Sequence, residues 1–312
     1  MTQRDLPGLV VKTQSGFYAV QTDAGLIICS LRGTLKQSSK KTELCVIGDR
    51  VVIDVLPDGS GAINRIEPRL RVLSRVEPSA YAGTSTEREQ VLIANLDQAV
   101  LVFSAANPVP NPRVLDRLIV AAEKAEIPSI AIVANKIDLD EAAARAIFGI
   151  YEAIGYPVYY VSAARGIGID DLRTLLTGHL SAFTGPSGAG KTSLLNAVQP
   201  GLGHRVREVS AKLTKGRHTT VNAELIPLAD GGYVADTPGI RSIAPWDVEP
   251  GELDAYFREI HPYTAQCRFS DCTHTNEPGC AVLAAVKHGH IAPTRYDSYV
   301  RLRAELDAEY VY

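Results

Sequence analysis

The first seventy residues alternate short apolar runs with single breaks. "LVVK", "GFYAVQT", "LIICSLRG", "GDRVVIDVL" and "GAINRI" are rich in β-branched residues and end at Gly or Asp, the pattern of short strands joined by turns. Five such strands in about 65 residues predict a small barrel, an OB-fold, with an SH3-like barrel as the alternative. From about Asp97 the rhythm lengthens. "QAVLVFSAAN", "PSIAIVANKID", "PVYYVSA" and "LSAFTG" are nearly unbroken apolar runs. The stretches between them read as helices: one capped by Asn111 with Pro112 first inside, one near Glu141 to Ile154, and one from Asp170. Strands apolar on both faces, alternating with helices, imply a parallel sheet covered on both sides. After Trp246 the strands stop, and "EPGELDAYFREI", "CAVLAAVKHG" and "TRYDSYVRLRAEL" read as helices around a cysteine-rich loop. Three domains are expected: an OB-fold barrel over 1–72, an α/β domain over 73–245 and a mostly helical domain over 246–312.

Composition narrows the class. At 312 residues and 46% hydrophobic content the chain can bury a sizeable core. No apolar run reaches the roughly 18 residues of a membrane span, and "MTQRDLPGLVV" lacks the features of a signal peptide, so a cytoplasmic protein without membrane contact is expected; separately, a monomer is the expected assembly. Thirty-two Lys and Arg against 35 Asp and Glu give a net charge of -3, which excludes a uniformly basic nucleic-acid binder. Two local basic runs remain: Arg65, Arg69, Arg71 and Arg75, then Arg205, Arg207, Lys212, Lys215 and Arg217. Each is either a nucleic-acid contact or ordinary solvated charge.

The most specific stretch is "GPSGAGKTS": Gly185, Pro186, Ser187, Gly188, Ala189, Gly190, Lys191, Thr192 and Ser193. The spacing G-x-x-x-x-G-K-T, between an apolar strand and the helical "SLLNAV", is that of a phosphate-binding loop. Glycines let backbone N–H groups curl around phosphates, the helix N-terminus adds positive potential, Lys191 reaches the β and γ phosphates, and Thr192 ligates Mg²⁺. Downstream, "YVADTPG" ends a strand at Asp236, suited to the Mg²⁺ shell, with the Gly239 N–H suited to the γ-phosphate. Between the two, "GRHTT" offers Thr220 as a further Mg²⁺ ligand.

The base is read elsewhere. "NKID", Asn135, Lys136, Ile137 and Asp138, follows a strand, where loops of such sheets meet ligands. Asp138 can accept from guanine N1–H and N2–H₂ together, whereas adenine would leave the carboxylate unpaired. Asn135 supports the loop, and the Lys136 stem can lie over the ring. At the end of the next strand, "VSA" supplies Ser162 and Ala163, whose N–H can donate to guanine O6. The substrate expected is GTP, with GDP as product.

The base loops precede the phosphate loops, which reverses the usual order, so the GTPase domain is circularly permuted. In this order of motifs, with a barrel before and a cysteine-rich segment after, the chain resembles the ribosome small-subunit-dependent GTPases. These are permuted GTPases with an N-terminal OB-fold and a C-terminal zinc domain. The resemblance implies a GTP hydrolase that binds the small ribosomal subunit and its rRNA and assists late maturation; a constitutive rRNA-binding module with vestigial GTP hydrolysis is the alternative. Fewer than thirty residues separate Gly239 from Cys267, so a switch ordered by the γ-phosphate could move the last domain; a passive tether is the alternative.

"CRFSDCTHTNEPGC" places Cys267, Cys272, His274 and Cys280 at C-x₄-C-x-H-x₅-C. Three thiolates and an imidazole suit one structural Zn²⁺ in a closed tetrahedral shell, and the spacing matches the zinc loop of the family resembled. Many GTPases place a water-orienting glutamine directly after the Asp236 to Gly239 motif; here that position is Ile240. The nearest substitute is His218, and the resemblance implies a histidine there in hydrolysis. An RNA phosphate contact, or plain solvent exposure, is the other reading of His218.

Overall fold

The computed structural model describes residues 4–38, 44–77, 88–206, 224–235 and 248–310. His218, Thr220, Asp236, Gly239 and Ile240 lie outside the described residues, as do Arg207, Lys212, Lys215 and Arg217.

Strands β1 (Leu6–Gln14), β2 (Phe17–Thr22), β3 (Gly25–Leu31), β4 (Arg50–Val55) and β5 (Gly61–Ile66) close a barrel in the order β1-β2-β3-β5-β4. β4 pairs back onto β1, and β3 runs parallel to β5. This five-stranded closure is OB-like, and it resolves the choice of barrel. Val10, Val20, Cys29, Leu31, Val51, Ile53 and Ile63 fill the interior, so Cys29 is a core residue, as is the neighbouring Cys45.

The sequence pattern did not reveal the antiparallel pair β6 (Val72–Glu77) and β7 (Arg88–Ala94). The basic run leading into it serves intramolecular joints. The Arg69 guanidinium grips the fully buried Asp49 at 2.7 Å, Arg65 pairs with Glu67 at 2.8 Å, and Arg71 donates to the Leu96 carbonyl at 3.1 Å.

β8 (Gln98–Ser104), β9 (Ser129–Asn135), β10 (Val158–Val161), β11 (Leu180–Thr184), β12 (Leu225–Pro227) and β13 (Tyr233–Ala235) form a six-stranded sheet in the order β10-β9-β8-β11-β13-β12. All neighbours are parallel except β12 and β13. Every residue of β8 and β11 is buried, which is why these segments read as unbroken apolar runs. Helices Pro112–Lys124 and Glu141–Ala153 cover one face through Leu118, Ile119, Phe148 and Tyr151. Helices Ile169–Leu176 and Lys191–Val198 cover the other through Leu172, Leu176, Leu194 and Leu195. Each large aliphatic side chain buried this way contributes roughly 1.5–3 kcal/mol. Asn111 caps its helix as expected, accepting from Arg113 N at 3.1 Å. The barrel meets the sheet at its β12 edge, where Lys12 of β1 bridges Glu224 and the two side chains pair at 2.8 Å.

In the C-terminal region the segment expected as one helix from Glu249 is a 3-10 helix over Pro250–Tyr256. Gly251, in the first turn, weakens a longer α-helix. Helices Ala281–Lys287 and Pro293–Tyr310 follow as expected. Val248, Leu253, Phe257, Ile260, Val282, Tyr299 and Leu302 form a core that also takes in Val120, from a helix of the α/β domain.

Candidate nucleotide and metal sites

Strands β8, β9 and β10 progress to one side of the sheet, β11 and β13 to the other, so the order reverses between β8 and β11. Ligands of such sheets sit at the carboxyl ends of the strands at this reversal. The loop Gly185 to Gly190 leaves β11 there. Gly185 (φ +149) lies so close to β8 that a Cβ would stand 2.0 Å from the Val102 carbonyl oxygen, and at Gly190 (φ +91) a Cβ would stand 2.3 Å from Asn135 Nδ2. Only glycine allows these approaches, so the loop keeps a backbone-lined concavity. Pro186 and Ser187 form its outer rim, Ala189 is buried beneath it, and Thr192 and Ser193 open the helix. Lys191 Nζ donates across the loop to the carbonyls of Gly185 (2.5 Å) and Pro186 (2.8 Å).

The base loop touches this cradle directly. Asn135, buried at the end of β9, donates from Nδ2 to the Ala189 carbonyl (2.8 Å) and accepts from Ala163 N (3.3 Å). One amide thereby ties three loops together. The Ala163 N–H expected for guanine O6 points to Asn135 here. Lys136 (φ +65) donates to the Gly188 carbonyl at 2.8 Å and to the Asn107 carbonyl. Ile137 is buried, anchoring the loop, while Asp138 is exposed at the rim. Ser162 Oγ donates to Asp138 Oδ1 at 2.5 Å, and Arg165 N donates to Ser162 Oγ at 3.2 Å. The carboxylate is thus aimed before any ligand arrives. The structure brings together all of the expected base- and phosphate-loop residues among the described ones. Sequence reasoning missed the loop after β8, where Pro108 underlies Gly188 and Asn107 holds Lys136. Its position at the carboxyl end of a central strand was the available signal.

The second constellation lies in the C-terminal region. The ligand atoms of Cys267, Cys272, His274 and Cys280 all lie within 4.8 Å of one another. His274 Nδ1 is 3.5 Å from both Cys267 Sγ and Cys280 Sγ, and those sulfurs are 3.9 Å apart. A tetrahedral zinc with bonds of about 2.3 Å to sulfur and about 2.0 Å to nitrogen needs edges of about 3.8 Å and about 3.5 Å, so the four residues fit a closed metal shell. Backbone N–H groups of Ala281 and Leu283 donate to Cys267 Sγ (3.3 Å) and Cys280 Sγ (3.4 Å), an arrangement that favours thiolate. His274 Nε2 meets Asp254 Oδ2 at 3.2 Å, which orients the ring, and this bond holds the Asp254 carboxyl below its usual range.

A Gly-rich loop at the sheet's reversal, an aspartate fixed beside it and motifs in reversed order mark a circularly permuted P-loop GTPase, flanked by a barrel and a helical region whose Cys and His cluster could hold a metal. Comparison with known proteins gives the family. Residues 66–246 match the model described as RsgA GTPase, and residues 7–63 match the RsgA N-terminal domain. A small ribosomal subunit biogenesis GTPase RsgA of Gemmatimonas aurantiaca is 45% identical over 303 residues, 96% of this chain and 97% of that protein. One from Moorella thermoacetica is 40% identical, over 97% and 98%. Among solved structures, YjeQ from Thermotoga maritima superposes with a TM-score of 0.79 at 36% identity, covering 98% of this chain and 99% of that one. YloQ, described as a circularly permuted GTPase, gives 0.75 at 31%, covering 98% and 96%. The chain belongs to the RsgA GTPase family and is a GTP hydrolase.

Proposed function

We propose that this chain binds GTP in the crevice between β8 and β11 and hydrolyses it when docked on the small ribosomal subunit, whose late maturation it assists. Asp138 carries the reading: an exposed carboxylate, fixed by Ser162 next to the cradle, selects guanine over adenine. Gly185, Gly188 and Gly190 expose the N–H groups that hold the phosphates, Lys191 reaches them, and Ala163 N turns from Asn135 to the base. Thr192, with Thr220 and Asp236, would hold Mg²⁺, which offsets charge on the β and γ phosphates. The Gly239 N–H would meet the γ-phosphate. One Zn²⁺ in the Cys267, Cys272, His274 and Cys280 shell is structural, since four protein ligands leave no open position. The working units are the barrel over 1–72, the GTPase domain over 73–245 and the zinc domain over 246–312, in a cytoplasmic monomer; no helix among the described residues is long and apolar enough to cross a membrane.

With Ile240 where a glutamine would place water, the isolated protein turns over slowly, and His218 supplies the missing hydrogen bond once rRNA phosphates meet the basic run that begins at the exposed Arg205. Partner-supplied groups accelerate some GTPases about 10³–10⁵-fold. The test is GTP turnover with and without purified small subunits, in the wild type and in His218→Ala. Strong stimulation that the variant loses, with GTP and subunit binding intact, is expected. Fast turnover without subunits, or full stimulation of His218→Ala, refutes the reading.

A further inference from the structure

Helix Pro112–Lys124 has contacts at both ends that a covering helix does not need. Its N-terminal approach is the loop bearing Asn107 and Pro108, which Lys136 holds to the phosphate cradle: Nζ donates both to Asn107 and to Gly188, and a Cβ on Gly188 would lie 3.2 Å from Pro108 Cδ. One turn into the helix, Asp116 is buried with 1% exposure, and its Oδ1 accepts from Arg295 at 2.5 Å and from the Tyr151 hydroxyl at 2.7 Å. Burial pushes the Tyr151 phenol up, so it stays a donor. Arg295 belongs to the C-terminal helix Pro293–Tyr310, is equally buried, lies over the rings of Tyr151 and Phe257, and is held from its own side by Glu259 at 2.6 Å. One turn further, Val120 is a core residue of the C-terminal region. Along the surface, Arg113 pairs with Asp297 at 3.1 Å, Lys124 with Glu252 at 2.6 Å, and Arg117 with Glu305.

The helix therefore joins the nucleotide loops to the metal-binding region along a path lying wholly within described residues. Its centre is unbalanced. Asp116 Oδ2 is buried with no hydrogen-bond partner, while Oδ1 takes two donors. A half-satisfied carboxylate in low dielectric is costly, so the docked arrangement depends on the helix holding its position, and a small shift of the helix breaks both bonds together.

We propose that guanine nucleotide binding and docking of the C-terminal region are thermodynamically coupled through this helix, with Asp116 and Arg295 as the coupling pair. The inference rests on the nucleotide site assigned above. A bound base lies on the Lys136 stem and bound phosphates order Gly188, so nucleotide favours the arrangement in which Lys136 also holds Asn107. That arrangement sets the start of the helix and hence the place of Asp116. Linkage is reciprocal: a loosened Asp116–Arg295 contact weakens nucleotide binding, and nucleotide tightens the C-terminal helix. Asp116 is a positioning residue and touches no ligand.

Two measurements on the full, zinc-loaded chain test this. In the wild type, saturating GDP should slow amide hydrogen exchange in Pro293–Tyr310 about threefold or more. Asp116→Asn, which keeps shape but loses charge, should bind GDP about fivefold more weakly, near the lower end of measured couplings, and should abolish the effect of GDP on that helix while zinc content is unchanged. Exchange in Pro293–Tyr310 that ignores GDP in the wild type overturns the proposal, and so does a folded Asp116→Asn with wild-type GDP affinity. The first measurement needs no variant, so it decides the matter if Asp116→Asn does not fold. Failure of the wild type to bind GDP at all would count against the nucleotide site itself, a distinct result.

Discussion

Replacing Gly190 by alanine should damage nucleotide binding far more than a glycine substitution elsewhere. Gly190 sits at φ +91, where an L-residue is strained by about 1–2 kcal/mol. The added Cβ would also stand 2.3 Å from Asn135 Nδ2. That amide is no flexible tip: it is 1% exposed and fixed by the Ala189 carbonyl and Ala163 N. Displacing it leaves buried polar groups unpaired, at about 1–3 kcal/mol. The total is about 2–5 kcal/mol. If the cradle can be restored only at that cost, GDP binds about 30-fold to about 4,000-fold more weakly, at about 1.4 kcal/mol per tenfold. Titration with a fluorescent GDP analogue, alongside thermal melting, measures it. Gly16→Ala is the control, with φ +82 but nothing within 4 Å of its Cβ; it should melt slightly earlier and bind GDP normally. Gly190→Ala binding GDP within about threefold of wild type, against the unpaired-group cost above, would refute the packing argument.

Two other substitutions address the base and the metal. Asp138→Asn should lose affinity for GTP and gain it for xanthosine triphosphate, whose 2-carbonyl accepts a hydrogen bond; competition between the two nucleotides reads this out, and an unchanged preference contradicts the role of Asp138. Asp254→Asn should weaken zinc retention about 10–100-fold through loss of ring orientation, measured by chelator competition with elemental analysis; retention equal to wild type would leave Asp254 without the orienting role.

What the sequence disclosed follows the range of the interactions. Gly185 to Ser193, Asn135 to Asp138 and Cys267 to Cys280 are local runs whose residue types the chemistry dictates, and all were legible as motifs. The buried strands β8 and β11 were legible because they are apolar at every position. Contacts between distant residues were not. Asp116 and Arg295 are 179 positions apart and Asp254 lies 20 before His274, and no periodicity links them. The β6 and β7 pair was hidden because Arg71 and Arg75 made its first strand look like a basic surface, while ten intervening residues removed any turn signal. The expected helix from Glu249 is a 3-10 form over Pro250–Tyr256, and Gly251 in its first turn weakened the α alternative.

The single bridge between Lys12 and Glu224 bears on solubility. β12 is a sheet border, and an uncovered border is a template on which a second molecule can build. Here the strand is three residues long, ends in Pro227, and has the barrel's first strand laid beside its start through a charged pair. The barrel therefore sets its first strand at the residue just before this border, where a second molecule would otherwise start to pair. A chain whose motif order has been permuted, with termini leading into other domains, gains from having one of those domains guard the flank of its sheet.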